Sequence, residues 1–170
     1  MSELVEFRQA KDEFFKTDPQ SPLTPEQKKR FRGLSYFPEN AALRFDLPLE
    51  RYDKLEEVRM QTSTGDVQDY VKVGKIRFQV NGQTAALQVY QSAEEASYFI
   101  PFVDATAPKE TYGAGRYLEP EQLENGKLYV DFNLAYNPYC AYNDKWSCPF
   151  PPPENRLKVR IEAGEKTYHQ

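Results

Sequence analysis

The sequence predicts a mainly β protein, an antiparallel β-barrel or sandwich with one or two short N-terminal helices. Three observations carry this expectation. Apolar and polar residues alternate with period two in several short stretches from residue 43 onward. Asn81-Gly82 separates two such stretches, and this pair is favoured in two-residue hairpin turns because both central residues need a positive φ. The 12 Tyr and 11 Phe supply much of the 39% apolar content, and rings suit a pleated, half-buried surface.

Before the β region, residues 3–16 carry Leu4, Phe7, Lys11, Phe14 and Phe15 at helical spacing, which predicts an amphipathic helix. Asp18-Pro19 and Ser21-Pro22 stop it, since a residue preceding proline is driven out of the helical region. Thr24-Pro25-Glu26-Gln27 then reads as a second start. Thr24 is the N-cap, Pro25 the first helical residue and Gln27 the return arm of a capping box, with the helix ending at Gly33.

The β elements follow. Leu43, Phe45 and Leu47 alternate with Arg44 and Asp46, and Val58 and Met60 with Arg59 and Gln61. Residues 75–90 form the clearest unit. A two-residue turn pairs Val80 with Gln83, Phe78 with Ala85 and Ile76 with Leu87, which puts Ile76, Phe78, Leu87 and Val89 on one face. Further strands are expected at 97–103, 115–119, 127–133 and 157–163. The stretch 134–155 shows neither period, is rich in Tyr, Asn and Pro, and is expected to be a functional or strapped-down loop.

A chain of 170 residues has the length of one domain, so 1–170 reads as a single unit with segment 1–32 packed on the β core. A charged fraction of 28% argues against disorder. The net charge of −4 and the lack of a broad basic face argue against a nucleic-acid partner; the densest basic run is Lys28-Lys29-Arg30 with Arg32. No stretch approaches the ~20 apolar residues of a membrane helix. The N-terminus lacks the pattern of a signal peptide and, taken as the native start, leads to the expectation of a cytoplasmic protein. Cys140 and Cys148 are then expected as free thiols packing the base of the long loop.

The only His, His169, is next to the C-terminus, which argues against Ser-His-Asp triads, Cys-His dyads and His-bearing zinc sites. No phosphate-binding glycine loop occurs; Gly113-Ala114-Gly115 is too short. Two polar clusters remain. In 99–119, an apolar strand ends at Asp104, and Glu110, Tyr112, Arg116 and Tyr117 follow around the Gly-Ala-Gly turn. One reading is a polar pocket, with Arg116 anchoring a carboxylate or phosphate and the turn forming an anion nest. The other is an elaborate turn in which Asp104 and Arg116 pair with each other. In the second cluster, Asp131 and Asn133 share a strand face, with Asn137 beyond. With Asp104 or Glu110 they could form an all-oxygen cation site or a carboxylate pair for acid/base work. Equally, they cap the backbone of the long loop.

Several runs resemble the prokaryotic family called domain of unknown function 1684. They include Asp104-Ala-Thr, Glu110-Thr-Tyr-Gly-Ala-Gly-Arg-Tyr-Leu118, Asp131-Phe-Asn, Ala135-Tyr-Asn-Pro138, Cys140-Ala-Tyr, Cys148-Pro, Pro153-Glu-Asn-Arg-Leu157 and Ala163-Gly-Glu-Lys166. Arg8, Lys11-Asp12, Ser21-Pro-Leu23 and Gly33-Leu-Ser-Tyr-Phe37 look like the family too. The chain departs from the family pattern at Ala107-Pro108 and at Leu134, where the family often has Arg. The resemblance implies membership and brings no activity with it. Two functions are therefore expected from the residues. The first is a small-molecule-binding β protein, enzymatic or not, with its ligand site at Asp104, Glu110, Tyr112, Arg116, Tyr117, Asp131, Asn133 and Asn137. The second is a non-catalytic interaction domain using segment 134–155. The sequence names no cofactor, no metal and no oligomeric state.

Overall fold

The computed structural model describes residues 2–92, 94 and 96–168; His169 lies outside the described residues. Helix α1 spans Glu3–Thr17, capped by the Ser2 hydroxyl, and α2 spans Pro25–Arg30. The capping box is formed: Gln27 N–H donates to the Thr24 hydroxyl at 3.2 Å, and Thr24 N–H donates to the Gln27 side chain at 2.8 Å. α2 ends at Arg30, before the expected Gly33, because Phe31 turns extended and buries its ring against Phe15.

Among the described residues eight strands follow: β1 (Arg44–Leu47), β2 (Glu50–Gln61), β3 (Val67–Val80), β4 (Gln83–Ser92), β5 (Tyr98–Phe102), β6 (Arg116–Leu118), β7 (Glu121–Gln122) and β8 (Leu128–Asp131). They make two antiparallel sheets, β2-β3-β4-β5-β6 and β1-β8-β7. Among the described residues no strand pairing closes them into a barrel, so the protein is mainly β with the two-sheet arrangement of a sandwich. Between the sheets, Phe45 and Phe132 meet Phe78 at ring distances of 5.5 and 5.0 Å, and Phe132 meets Phe102 edge-on at 5.6 Å. Ile76, Leu87, Val89, Ile100, Leu128 and Val130 are fully buried around them. Burying each such side chain contributes about 1.5–3 kcal/mol.

The hairpin has the expected register, Val80 opposite Gln83, Phe78 opposite Ala85 and Ile76 opposite Leu87. Asn81 and Gly82 take φ of 50° and 80°, as a type I′ turn requires. Below it, β3 carries a bulge between Lys72 and Gly74, where a Cβ on Gly74 would stand 2.6 Å from the Glu50 carbonyl oxygen. β2 runs much longer than the alternation at 58–61 suggests, because it is an edge strand and mostly exposed.

The expected strand at 157–163 is absent, and the reason is local. Its apolar alternation is real: Ile161 and Ala163 are buried, and Leu157 and Val159 pack on the core. Its backbone, however, is held by side chains. Ile161 N–H donates to the Asp104 carboxylate at 2.7 Å, and the carbonyls of Ile161 and Ala163 accept from Arg116. Only Leu157 N–H to Val103 O and Ala105 N–H to Val159 O resemble a ladder. The long stretch 134–155 is strapped down by bridges from Tyr136 to Tyr117 and from Pro149 to Thr62, with 3₁₀ turns at Tyr139–Ala141 and Pro153–Asn155. No described helix is long and apolar enough to cross a membrane.

Candidate functional site

Arg116 begins β6, and its side chain is 1% exposed. One terminal nitrogen donates to the carbonyls of Ala163 at 2.5 Å and Glu165 at 3.1 Å, and the other to Ile161 O at 3.0 Å and Asp104 at 3.3 Å. Burial lowers the Arg116 pKa, and the Asp104 charge opposes that shift. Asp104 also accepts from Thr106 through its hydroxyl at 2.8 Å. This pair pins the C-terminal segment to the sheet, the second of the two readings above. Gly115 N–H is spent on Tyr112 O at 2.9 Å, and Gly115 itself passes so close to Phe102 that a Cβ would lie 2.5 Å from its carbonyl oxygen. Glu110 sits apart at the surface, bonded to Arg160 at 2.5 Å.

Asp131 and Asn133 form a separate group. Asp131 accepts from Arg44 at 3.1 Å, from the Tyr129 hydroxyl at 3.2 Å and from Asn133 N–H at 2.9 Å. Asn133 exchanges two bonds with the Asn40 backbone at 2.8 and 2.9 Å, so it holds the segment before β1. Among the described hydrogen bonds none joins either residue to Asp104 or Glu110. The oxygens that a cation site would need are spent on Arg44, Tyr129 and the Asn40 backbone, and the contacts are those of the alternative reading, side chains holding backbone. Among the described residues no three His, Cys, Asp or Glu side chains cluster as metal ligands.

Asn137 leads to a centre that the residue patterns did not single out. Its N–H donates at 2.9 Å to Glu165, a carboxylate with 3% of its side chain exposed. The Tyr142 hydroxyl donates to the same oxygen at 3.1 Å, and the Lys11 ammonium of α1 pairs with the other. Burial and the Glu165 charge push the Tyr142 phenol well up. Lys11 also lies over the rings of Tyr136, at 5.0 Å, and Phe15, at 5.7 Å. One signal pointed here: Lys11 interrupts the apolar stripe of α1, and a charge on a buried face implies a buried partner.

Lys11 opens on the other side into a cleft of about 680 Å³ between α1 and the Tyr-rich loop. Phe7, Phe14, Tyr139, Trp146 and Cys148 stand around it, with Tyr117 and Tyr136. Of the expected site residues, Tyr117 lines this cleft, and Tyr112 lies behind it at 3.6 Å from the Cys140 sulfur. Tyr117 donates to Pro149 O at 2.5 Å, and burial raises its pKa. Tyr136, bonded to Glu119, is likewise raised by burial. These phenols stay neutral donors at physiological pH. Chemically the cleft offers aromatic walls and one ammonium, whose second and third protons have no acceptor among the described hydrogen bonds.

Comparison with known proteins agrees with the fold. A solution NMR structure of the uncharacterized protein from gene locus rrnAC0354 of Haloarcula marismortui superposes with a TM-score of 0.73 at 37% identity. The match covers 96% of this chain and 92% of that one. No curated protein matches. Residues 29–166 match the family described as "Protein of unknown function (DUF1684)", and the chain belongs to that family.

Proposed function

We propose that the protein binds a small, ring-bearing apolar molecule with an anionic or hydrogen-bond-accepting head, held in the cleft between α1 and the Tyr-rich loop. The observation that carries this reading is the placement of Lys11. It is the single ammonium on a ring-rich, largely apolar lining, and the cleft volume of about 680 Å³ falls in the ordinary range for small-molecule sites. The rings offer stacking faces, and Lys11 offers a charge-assisted donor to the head group. The ion pair with Glu165 fixes the ammonium in place, so little side-chain entropy is lost when a ligand arrives.

Trp146 is the only tryptophan and lines the cleft, so it reports binding directly. An anilinonaphthalene sulfonate dye has the required body and head. It is expected to quench Trp146 saturably at one site per chain, and its uncharged parent to bind roughly tenfold or more weakly, as a lost charge-assisted bond implies. Ala10 is an exposed cleft-lining residue of α1, and Ala10→Phe fills the space without disturbing the core. Non-saturable quenching, or quenching unchanged in Ala10→Phe, overturns the assignment.

A further inference from the structure

Cys148 borders the ligand cleft and Cys140 lies outside its lining, yet the fold brings the two together. Both are free and buried. Cys140 lies in the 3₁₀ turn Tyr139–Ala141, and Cys148 is clamped to the β2–β3 turn by bonds with Ser63 at 3.0 and 3.1 Å. The chain between them folds back so that Cys140 N–H donates to the Cys148 sulfur at 3.2 Å. The Tyr112 hydroxyl stands 3.6 Å from the Cys140 sulfur. Cys148 reaches the cleft wall, and the rings of Tyr117, Phe99 and Trp146 surround the pair. Two free thiols, tied together by the amide of one bonding the sulfur of the other, with a phenol 3.6 Å from the Cys140 sulfur, form an arrangement suited to dithiol chemistry.

We propose that Cys140 and Cys148 form a dithiol site that reduces small hydroperoxides and closes to an intramolecular disulfide. Cys140 is the attacking sulfur. The Cys148 thiol donates to it and, despite opposing burial and with help from Tyr112, brings its pKa down to about 6; the Cys148 pKa is pushed up by the same contact. The Cys140 thiolate attacks the outer oxygen of the hydroperoxide, the O–O bond breaks, and the departing alkoxide takes a proton from solvent to leave as alcohol, or as water when hydrogen peroxide is the substrate. Cys140 is now a sulfenic acid, oxidised by two electrons. The Cys148 sulfur attacks the Cys140 sulfur, the S–S bond forms and the S–O bond breaks. The hydroxyl leaves as water with the Cys148 proton. A dithiol reductant restores the pair. Because residues 141–147 carry Tyr142 and Trp146, the disulfide would also staple the loop that forms one wall of the cleft.

The test uses the whole protein and hydrogen peroxide. Treated with a slight excess and then alkylated under denaturing conditions, the protein is expected to lose both thiols together and regain both with dithiothreitol. Cys148→Ser keeps an acceptor for the Cys140 amide and is expected to stop at a Cys140 sulfenic acid, trapped by dimedone. Cys140→Ser is expected to slow oxidation of the remaining thiol roughly tenfold or more at neutral pH, because burial still disfavours the Cys148 thiolate. In the wild type the rate should fall as pH drops through about 6, and Tyr112→Phe should move that midpoint upward while far-UV circular dichroism stays unchanged. Retention of both thiols in folded wild-type protein, disulfides only between chains, or equal rates for the two serine variants each overturn the proposal. None of these outcomes bears on dye binding, which does not require the sulfurs.

Discussion

Arg116 and Asp104 form an ion pair at 3.3 Å that is sealed from water, with 1% and 2% of the two side chains exposed. The guanidinium does more than neutralise the carboxylate. It reaches the carbonyls of Ile161, Ala163 and Glu165, alternate residues along the C-terminal segment, where a neighbouring strand would otherwise supply amide donors. Removing Arg116 as Met leaves a buried carboxylate uncompensated and three carbonyls short of a donor, which should lower stability by about 3–5 kcal/mol. Arg116→Lys keeps the charge but loses the planar fork, so it too should lower the urea midpoint. Dye binding in the cleft should survive in Arg116→Lys, and its loss without unfolding would return Arg116 to the ligand site.

The glycines separate conformational strain from collision. Gly82 and Gly164 both have positive φ, 80° and 81°. Nothing lies within 4 Å of a Cβ at Gly82, whereas at Gly164 it would stand 2.8 Å from the carbonyl oxygens of both Ala135 and Phe132. Gly82→Ala should therefore cost about 1–2 kcal/mol, the strain alone. Gly164→Ala should cost clearly more, since the turn that presents Glu165 must move. Comparison of the two urea midpoints checks this, and equal losses would contradict it.

These two sites also show what the sequence could and could not convey. The Gly82 hairpin and the Thr24–Gln27 capping box were legible because each is set by neighbours in the chain: turn chemistry, alternation and capping act over a few residues. Asp131 and Asn133 were legible as a pair, though not their separate partners, Arg44 for Asp131 and Asn40 for Asn133. Segment 157–163 misled because period two reports where side chains point, and says nothing of whether the backbone is bonded to a strand or to the side chains of Asp104 and Arg116. Lys11 and Glu165 are 154 positions apart, and only the interrupted stripe of α1 hinted that Lys11 had a buried partner. The cleft was missed for a related cause. Its walls come from α1 and from a loop with no period at all.

Asp66, in the β2–β3 turn, accepts from the hydroxyls of Thr62, of Thr64 at 2.7 Å and of Ser147 at 2.9 Å. Those bonds, Thr62 first, hold its carboxyl down to about 2. Its folded pKa is below the unfolded value, so its contribution to stability is present above about 3.9 and is lost as pH falls toward 2. An NMR titration of the Asp66 carboxyl should give a midpoint near 2, and a midpoint near the ordinary value would show that the hydroxyls do not hold it. In Asp66→Asn the acid limb of the stability profile should flatten, and amides of residues 146–148 should exchange somewhat faster, because a neutral amide oxygen holds the Ser147 hydroxyl more weakly than the carboxylate does.

The Lys11–Glu165 pair carries the last prediction, since it serves both the fold and the proposed site. Lys11→Met strands the Glu165 carboxylate, leaving it only Asn137 N–H and the Tyr142 hydroxyl, and should cost about 3–5 kcal/mol. Glu165→Gln should cost less. The amide oxygen still accepts both bonds, and Lys11, with 18% of its side chain exposed at the cleft, can keep its charge hydrated. The double variant should recover part of the loss, giving a coupling energy of roughly 1–3 kcal/mol in a urea double-mutant cycle. Binding should respond in the opposite sense. With Glu165 neutral, the ammonium faces an anionic head group with no competing charge, so Glu165→Gln should bind the sulfonate dye more tightly than wild type and with a steeper dependence on salt. Lys11→Met should bind it weakly and without salt dependence. If both single variants weaken binding equally, the pair merely shapes the cleft, and Lys11 does not touch the ligand.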